Sequence, residues 1–238
     1  MREIGDDQHV RFMIGCWAIW EGRNKKVFEG RESDARLVVR RIWEVEQELE
    51  RSNEEEEKRG EGSKGRGESR QGERDSWVPT MAGRMKINVD AASKEEVGVG
   101  LGIVCRDERG MCLWGVSNRR REHLEPRIAE AVALLEGLKE ARERSYRNIV
   151  MESDCCQLIE DIKSSKEGRN EYFLVLDDIR SLCNAFDSIV WSFVRRTSNF
   201  VAHLLAHYEP NVIGRRVWTF ELPPPAATTL LADLRLMN

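Results

Sequence analysis

Hydrophobic and polar positions divide the chain into two patterned stretches around one with no pattern. Val10 to Trp20 and Ala35 to Leu49 read as helices. In the second, Leu37, Val38, Arg41, Ile42, Val45 and Leu49 approximate a stripe with charge on the other face. From Ser52 to Ser76 there is no aliphatic or aromatic side chain. Such a stretch cannot bury enough surface to offset its ordering entropy, so residues 52–80 are expected to form a disordered, charged linker. The 1–51 segment becomes a short helical extension, too small for a strong core of its own and a candidate for docking or for a protein partner.

Beyond the linker, Met85–Ala91 and Val97–Arg106 alternate and are rich in β-branched residues. A turn at Asp107–Gly110 leads into Met111–Ser117. Pro126 then opens a long helix, Arg127 to Arg144. A strand follows at Ile149–Glu152, then a helix at Cys155–Ser164 that Asp154 can cap. Tyr172–Phe186 reads as a helix, Ser188–Val194 as a strand and Ser198–His207 as a final helix. The order βββ-α-β-α-α-β-α describes a meander followed by β-α-β crossovers. It predicts an α/β fold with a five-stranded mixed sheet flanked by helices, spanning 81–210 and followed by a 211–238 tail.

Charge and cysteine content narrow the partners. Lys and Arg total 38 against 42 for Asp and Glu, a formal charge of -4, so no general basic coat is present and nucleic-acid binding must rest on a local patch. The longest apolar run near the start, Phe12 to Trp20, is broken by Gly15 and is far short of the ~17–25 residues of a membrane span. No secretory signal opens the chain. The six cysteines form no C-x-x-C pair and read as free thiols of a reducing compartment. These features point to an intracellular protein, cytoplasmic or nuclear, with no membrane partner and not secreted.

Three acids stand out by position. Asp90 sits within the strand Ile87-Asn88-Val89-Asp90-Ala91. Glu130 lies among Ile128, Ala129, Ala131, Val132 and Ala133 on the long helix, and Asp154 closes the strand that begins at Ile149. An acid on an apolar element is costly unless it is paired or holds a cation. A meander followed by a parallel strand can bring all three to one end of the sheet, where they would repel one another without a divalent ion. Mg²⁺ prefers such hard oxygen donors.

Met85-Lys86-Ile87-Asn88-Val89-Asp90-Ala91-Ala92, followed by Gly100-Leu101-Gly102-Ile103-Val104-Cys105-Arg106-Asp107-Glu108-Arg109-Gly110, resembles the opening of the type 1 ribonuclease H-like domain of plant non-LTR retrotransposons. Ala129-Glu130-Ala131-Val132-Ala133, with Gly137-Leu138 and Ala141, is similar to that family's central helix. Glu152-Ser153-Asp154-Cys155 resembles its second acidic motif, and the segment Arg195 to Ala206 its last. The resemblance runs from about Met85 to His207, with five motifs in order. Trp218, the Pro223–Pro225 run and Asp233 resemble the family's usual ending. Trp17 to Asn24 resembles the segment that precedes the domain in the parent polyproteins, although no reverse transcriptase signature is present.

The resemblance implies cleavage of the RNA strand of RNA–DNA hybrids with two Mg²⁺ ions, or Mn²⁺ in their place. Asp90 would bridge both ions and Glu130 and Asp154 would complete the ligands, with His203 at the fourth catalytic position. It also implies 5′-phosphate products, contacts to 2′-hydroxyls and salt-sensitive binding. Catalytic members usually carry Asp where this chain has His203. A neutral imidazole can ligate metal or relay a proton but brings no negative charge. The alternative is therefore a catalytically impaired module that binds nucleic acid or protein.

Other residues read more simply. Glu152 is assigned a structural role, and Trp114 and Trp191 belong to the core or its edge. Asn199 should cap or orient the last helix, or touch the active-site end. His203 and His207 are four apart on one helix face, as metal-binding histidines can be, but Leu204 replaces the Glu of a zinc-protease helix and no third soft ligand is evident. The clusters Arg119–Arg121, Lys139/Arg142/Arg144/Arg147 and Arg195-Arg196 read as solvated surface. Ser164 to Tyr172 is too short for an added basic helix, so hybrid binding should be weak.

Overall fold

A computed structural model describes residues 77–94, 97–208 and 212–236. The expectations for the N-terminal helices, for linker residues 52–76 and for Cys16 lie outside the described residues. Among the described residues there are six strands: β1 Met85–Lys94, β2 Gly98–Arg106, β3 Cys112–Arg120, β4 Asn148–Ser153, β5 Ser188–Phe193 and β6 Gly214–Thr219. Five helices accompany them among the described residues: α1 Pro126–Glu143, α2 Cys156–Lys163, α3 Glu171–Cys183, α4 Phe200–Ala206 and α5 Ala226–Leu236. Among the described residues, no helix is long and apolar enough to cross a membrane.

The sheet has the order β5-β4-β1-β2-β3-β6. β1, β2 and β3 form the expected antiparallel meander. β4 lies parallel to β1, and β5 lies parallel to β4, so the crossovers fall where the helical segments predicted them. The mixed α/β sheet flanked by helices is thus present, with one strand more than expected. The sixth comes from the C-terminal stretch: β6 pairs antiparallel with β3 and α5 packs against α4. Its alternation in Gly214–Thr219 is short and polar, and only the open edge of β3 makes it a strand.

Burial follows the alternation. Ile87 and Val89 face α1, where Gly137 lets the helix approach their side chains. Asn88 and Asp90 point to the opposite face and meet α4. β2 is buried along its whole length because it is covered on both sides. Gly100 and Gly102 on β2 make the α4 contact possible: a Cβ at either would run into the α4 backbone at Ala202 or Ala206. The tail is anchored by the buried pair Arg106–Asp233 at 2.7 Å, and Arg106 also stacks 4.4 Å over the buried Trp77 ring.

Several local expectations are corrected. Asp154 does not cap α2; the N-cap residue is Cys155, which makes no side-chain cap bond, and the Asp154 carboxylate turns towards Asn199. α3 starts at an Asn170 cap whose side chain accepts from the Phe173 N–H, a signal the apolar pattern did not carry. Arg119 and Arg144 are not solvated surface. Arg119 is buried and donates to the Ala206 carbonyl, while Arg144 pairs with buried Glu140 and stacks on Trp114. Cys105 and Cys112 are buried free thiols, and burial pushes Cys112 up to about 11.

Candidate active site

Three separate elements deliver the three acids. Asp90 lies in β1, a central strand, and is 1% exposed. Glu130 projects from the second turn of α1, where the Ala91 N–H donates to its carboxylate. Asp154 follows the last residue of β4, a strand parallel to β1, so both strands end on the same side. One carboxylate oxygen from each of Asp90, Glu130 and Asp154 lies within 4.8 Å of the other two.

Burial and mutual repulsion dominate the electrostatics of the three acids, with Arg196 and His203 only partly opposing them. Burial, then the charges of Asp90 and Asp154, hold the Glu130 carboxyl well above the usual carboxylate range. Burial and the Asp90 charge push Asp154 up to about 6, against the opposing pull of Arg196 and His203. Glu130 Oε2 is buried and has no hydrogen-bond partner. Protonation or a cation is what relieves such a cluster.

His203 reaches the cluster from α4, with Nδ1 3.0 Å from Asp90 Oδ2. Arg196, in the connection before α4, places one guanidinium nitrogen 3.1 Å from that ring nitrogen and another 3.8 Å from Asp154 Oδ2. Part of the Arg195-Arg196 cluster is therefore at the site and not on a remote surface.

A buried amide relay orients Asp154, and of its members sequence reasoning singled out Glu152 and Asn199 but not Trp77 or Asn88. Trp77 Nε1 donates to Asn88 Oδ1 at 3.0 Å. The Asn88 amide donates to Glu152 at 2.9 Å and to Asn199 Oδ1 at 3.2 Å. Asn199 in turn donates to the Val89 carbonyl at 2.9 Å and to Asp154 Oδ1 at 3.0 Å. Glu152 is neutralised by Lys86 at 2.6 Å, in keeping with its structural assignment. Asn199 touches the active-site end and makes no side-chain cap bond to α4. Asn88 sits two residues before Asp90 on the same strand face, and that spacing was the one available signal for it.

No curated protein matches the sequence. Among solved structures, ribonuclease H1 from the halophilic archaeon Halobacterium salinarum is 21% identical, covering 52% of this chain and 95% of its own, with a TM-score of 0.49. The N-terminal ribonuclease H domain of Mycobacterium tuberculosis Rv2228c is 20% identical over 52% of this chain and 96% of that one, with a TM-score of 0.48. A compost-metagenome ribonuclease H1, LC11, solved with an RNA/DNA hybrid, is 16% identical over 52% and 94%, with a TM-score of 0.45. Residues 88–209, just over half of the chain and the stretch that holds all three acids and His203, match the family model described as reverse transcriptase-like. The chain belongs to the reverse transcriptase-like family.

Proposed function

We propose that this chain is a divalent-metal-dependent endonuclease that cleaves the RNA strand of RNA–DNA hybrids. The observation that carries the reading is the meeting of Asp90, Glu130 and Asp154 within 4.8 Å, each from a different element. The donor set fits a hard cation, Mg²⁺ or Mn²⁺: all ligand atoms are carboxylate oxygens, and Glu130 Oε2 is buried with no partner. When bound, two such ions supply Lewis-acid activation of water and neutralise charge on the leaving 3′ oxygen.

The chain's own residues supply position. Asp90 is set in the middle of the sheet, between β2 and β4, with a carboxylate oxygen within 4.8 Å of one on each of the other two acids. Asn199 holds Asp154 in orientation through its 3.0 Å bond. His203 is placed to take or return a proton at Nδ1, 3.0 Å from Asp90. Hybrid recognition would use 2′-hydroxyl and phosphate contacts, and its affinity would fall with salt. We assign the catalytic unit to residues 81–210, with β6 adding a strand to its sheet and α5 packing on α4, and its origin to plant non-LTR retrotransposons on the motifs quoted above.

A second reading is favoured by two contacts. Asp90 faces His203 at 3.0 Å, and Arg196 stands 3.8 Å from Asp154, so side chains of the chain itself lie against two of the three acids. This arrangement suits a module that kept the fold for binding and lost turnover. The deciding experiment is cleavage of a labelled RNA–DNA hybrid by the full chain, in Mg²⁺ and separately Mn²⁺, beside Asp154→Asn. Metal-dependent cuts that vanish in the variant support the nuclease. Silence of a folded chain in both metals supports the binding module.

A further inference from the structure

The final helix adds to this end of the sheet a donor that the hybrid-cleavage reading does not use, His207, beside His203 and Asp90, which that reading does use. His203 and His207 hold their ring centroids 4.2 Å apart on α4, and one ligand atom each from Asp90, His203 and His207 lies within 4.8 Å of the others. His203 Nδ1 and Asp90 Oδ2 are 3.0 Å apart. A tetrahedral ion with bonds of about 2.0–2.1 Å sets its donor atoms roughly 3.3 Å apart, so this pair nearly has the spacing of two ligands on one ion. His207 Nδ1 lies 3.1 Å from the His203 carbonyl oxygen. An N–H donating there leaves Nε2 as the nitrogen with a lone pair, the arrangement that orients metal-bound imidazoles.

Two imidazoles and one carboxylate suit a borderline ion such as Zn²⁺ better than hard Mg²⁺. The group that opposes an ion here is Arg196, 3.1 Å from His203 Nδ1. Its side chain is 23% exposed and sits in the connection before α4, so an ion at this site requires the guanidinium to shift away from His203 Nδ1.

We propose that Asp90, His203 and His207 form a Zn²⁺ site that shares Asp90 with the three-carboxylate cluster, so that zinc and hard divalent cations compete at this end of the sheet. The zinc site stands on β1 and α4 alone; only the competition with hard divalent cations rests on the nuclease reading.

The test is equilibrium titration of the full metal-free chain with Zn²⁺, and with Co²⁺ as a visible-absorbing probe. The expected result is one tightly bound ion, a Co²⁺ spectrum of tetrahedral character, and Zn²⁺ affinity lowered at least about 10-fold by His207→Gln or His203→Gln. Added Mg²⁺ should weaken the apparent Zn²⁺ affinity. No stoichiometric binding, or affinity unchanged in both variants, overturns the site. Should a helix variant unfold, the His9→Gln/His123→Gln chain leaves only two of the four histidines. Zn²⁺ must then shift the ring resonances of both, and unmoved resonances overturn the site equally. A chain that binds zinc here but never cuts hybrid sinks the nuclease proposal and leaves this one standing; a nuclease whose Zn²⁺ affinity ignores both histidines does the reverse.

Discussion

Asp90 Oδ2 and His203 Nδ1 stand 3.0 Å apart although they are separated by most of the family-matched region. The register of β1 on β2 places Asp90 opposite Gly102, and Gly102 is where α4 comes down on the sheet. The contact thus depends on a missing side chain. With a Cβ at 102, the helix could not sit close enough for His203 to reach the acid.

Gly102→Ala should therefore act at the site as well as on stability. The added methyl meets the Ala202 carbonyl and the Ala206 backbone, which are not flexible side-chain ends. A loss of about 1–3 kcal/mol in urea unfolding is expected, the usual cost of overpacking, together with shifted His203 ring resonances. Unchanged stability would mean that α4 does not pack on this glycine.

Asp154→Asn should cut hybrid cleavage at least roughly 100-fold while preserving the fold. Removing one of three mutually repelling charges should also raise the metal-free melting temperature, by ~2–4 °C per kcal/mol regained. Wild-type cleavage by this variant would show that the cluster is not the centre.

The pH dependence of metal-free stability follows from the same residue. Asp154 is raised from 3.8 to about 6, so the folded state holds its proton more tightly than the unfolded chain does. Its contribution is complete below about pH 4 and is lost as pH rises through about 6, with a slope approaching 1.4 kcal/mol per pH unit for one proton. Glu130, also raised, extends the decline upward. Denaturation in EDTA from pH 4 to 7 should show wild type losing stability relative to Asp154→Asn, and Mg²⁺ should remove most of the difference.

Asn199→Ala leaves the buried Asn88 amide and Val89 carbonyl, and the half-buried Asp154, each short of a bond. The expected cost is about 2–3 kcal/mol, measured by urea denaturation. Weaker Mg²⁺ binding should accompany it because Asp154 is no longer oriented. Loss of stability without any change in metal affinity would make Asn199 purely structural.

His203→Asp restores a negative charge beside Asp90. Under the nuclease reading, Mg²⁺-supported cleavage should rise, while the metal-free chain loses stability from added repulsion in a site where His203 is only 2% exposed. Equal cleavage rates would mean that charge at this position does not limit turnover.

The periodicities of Met85–His207 specified the meander, the long helix and the two parallel strands, because alternation and helical spacing are local properties of the chain. The ordered motifs specified which acids to watch. Other features were closed to sequence reading because they depend on distant partners. β6 is a strand because β3 leaves an open edge for a polar hexapeptide. Asp154 orients towards Asn199 because α4 brings an amide within 3.0 Å of it. Arg119 is buried because the Ala206 carbonyl needs a donor. The sequence by itself determined the elements and the chemical types available at the end of the sheet. The tertiary structure decided which carboxylates meet, which histidines join them and how far their charges are raised, since distance and desolvation exist only once the helices have packed on both faces.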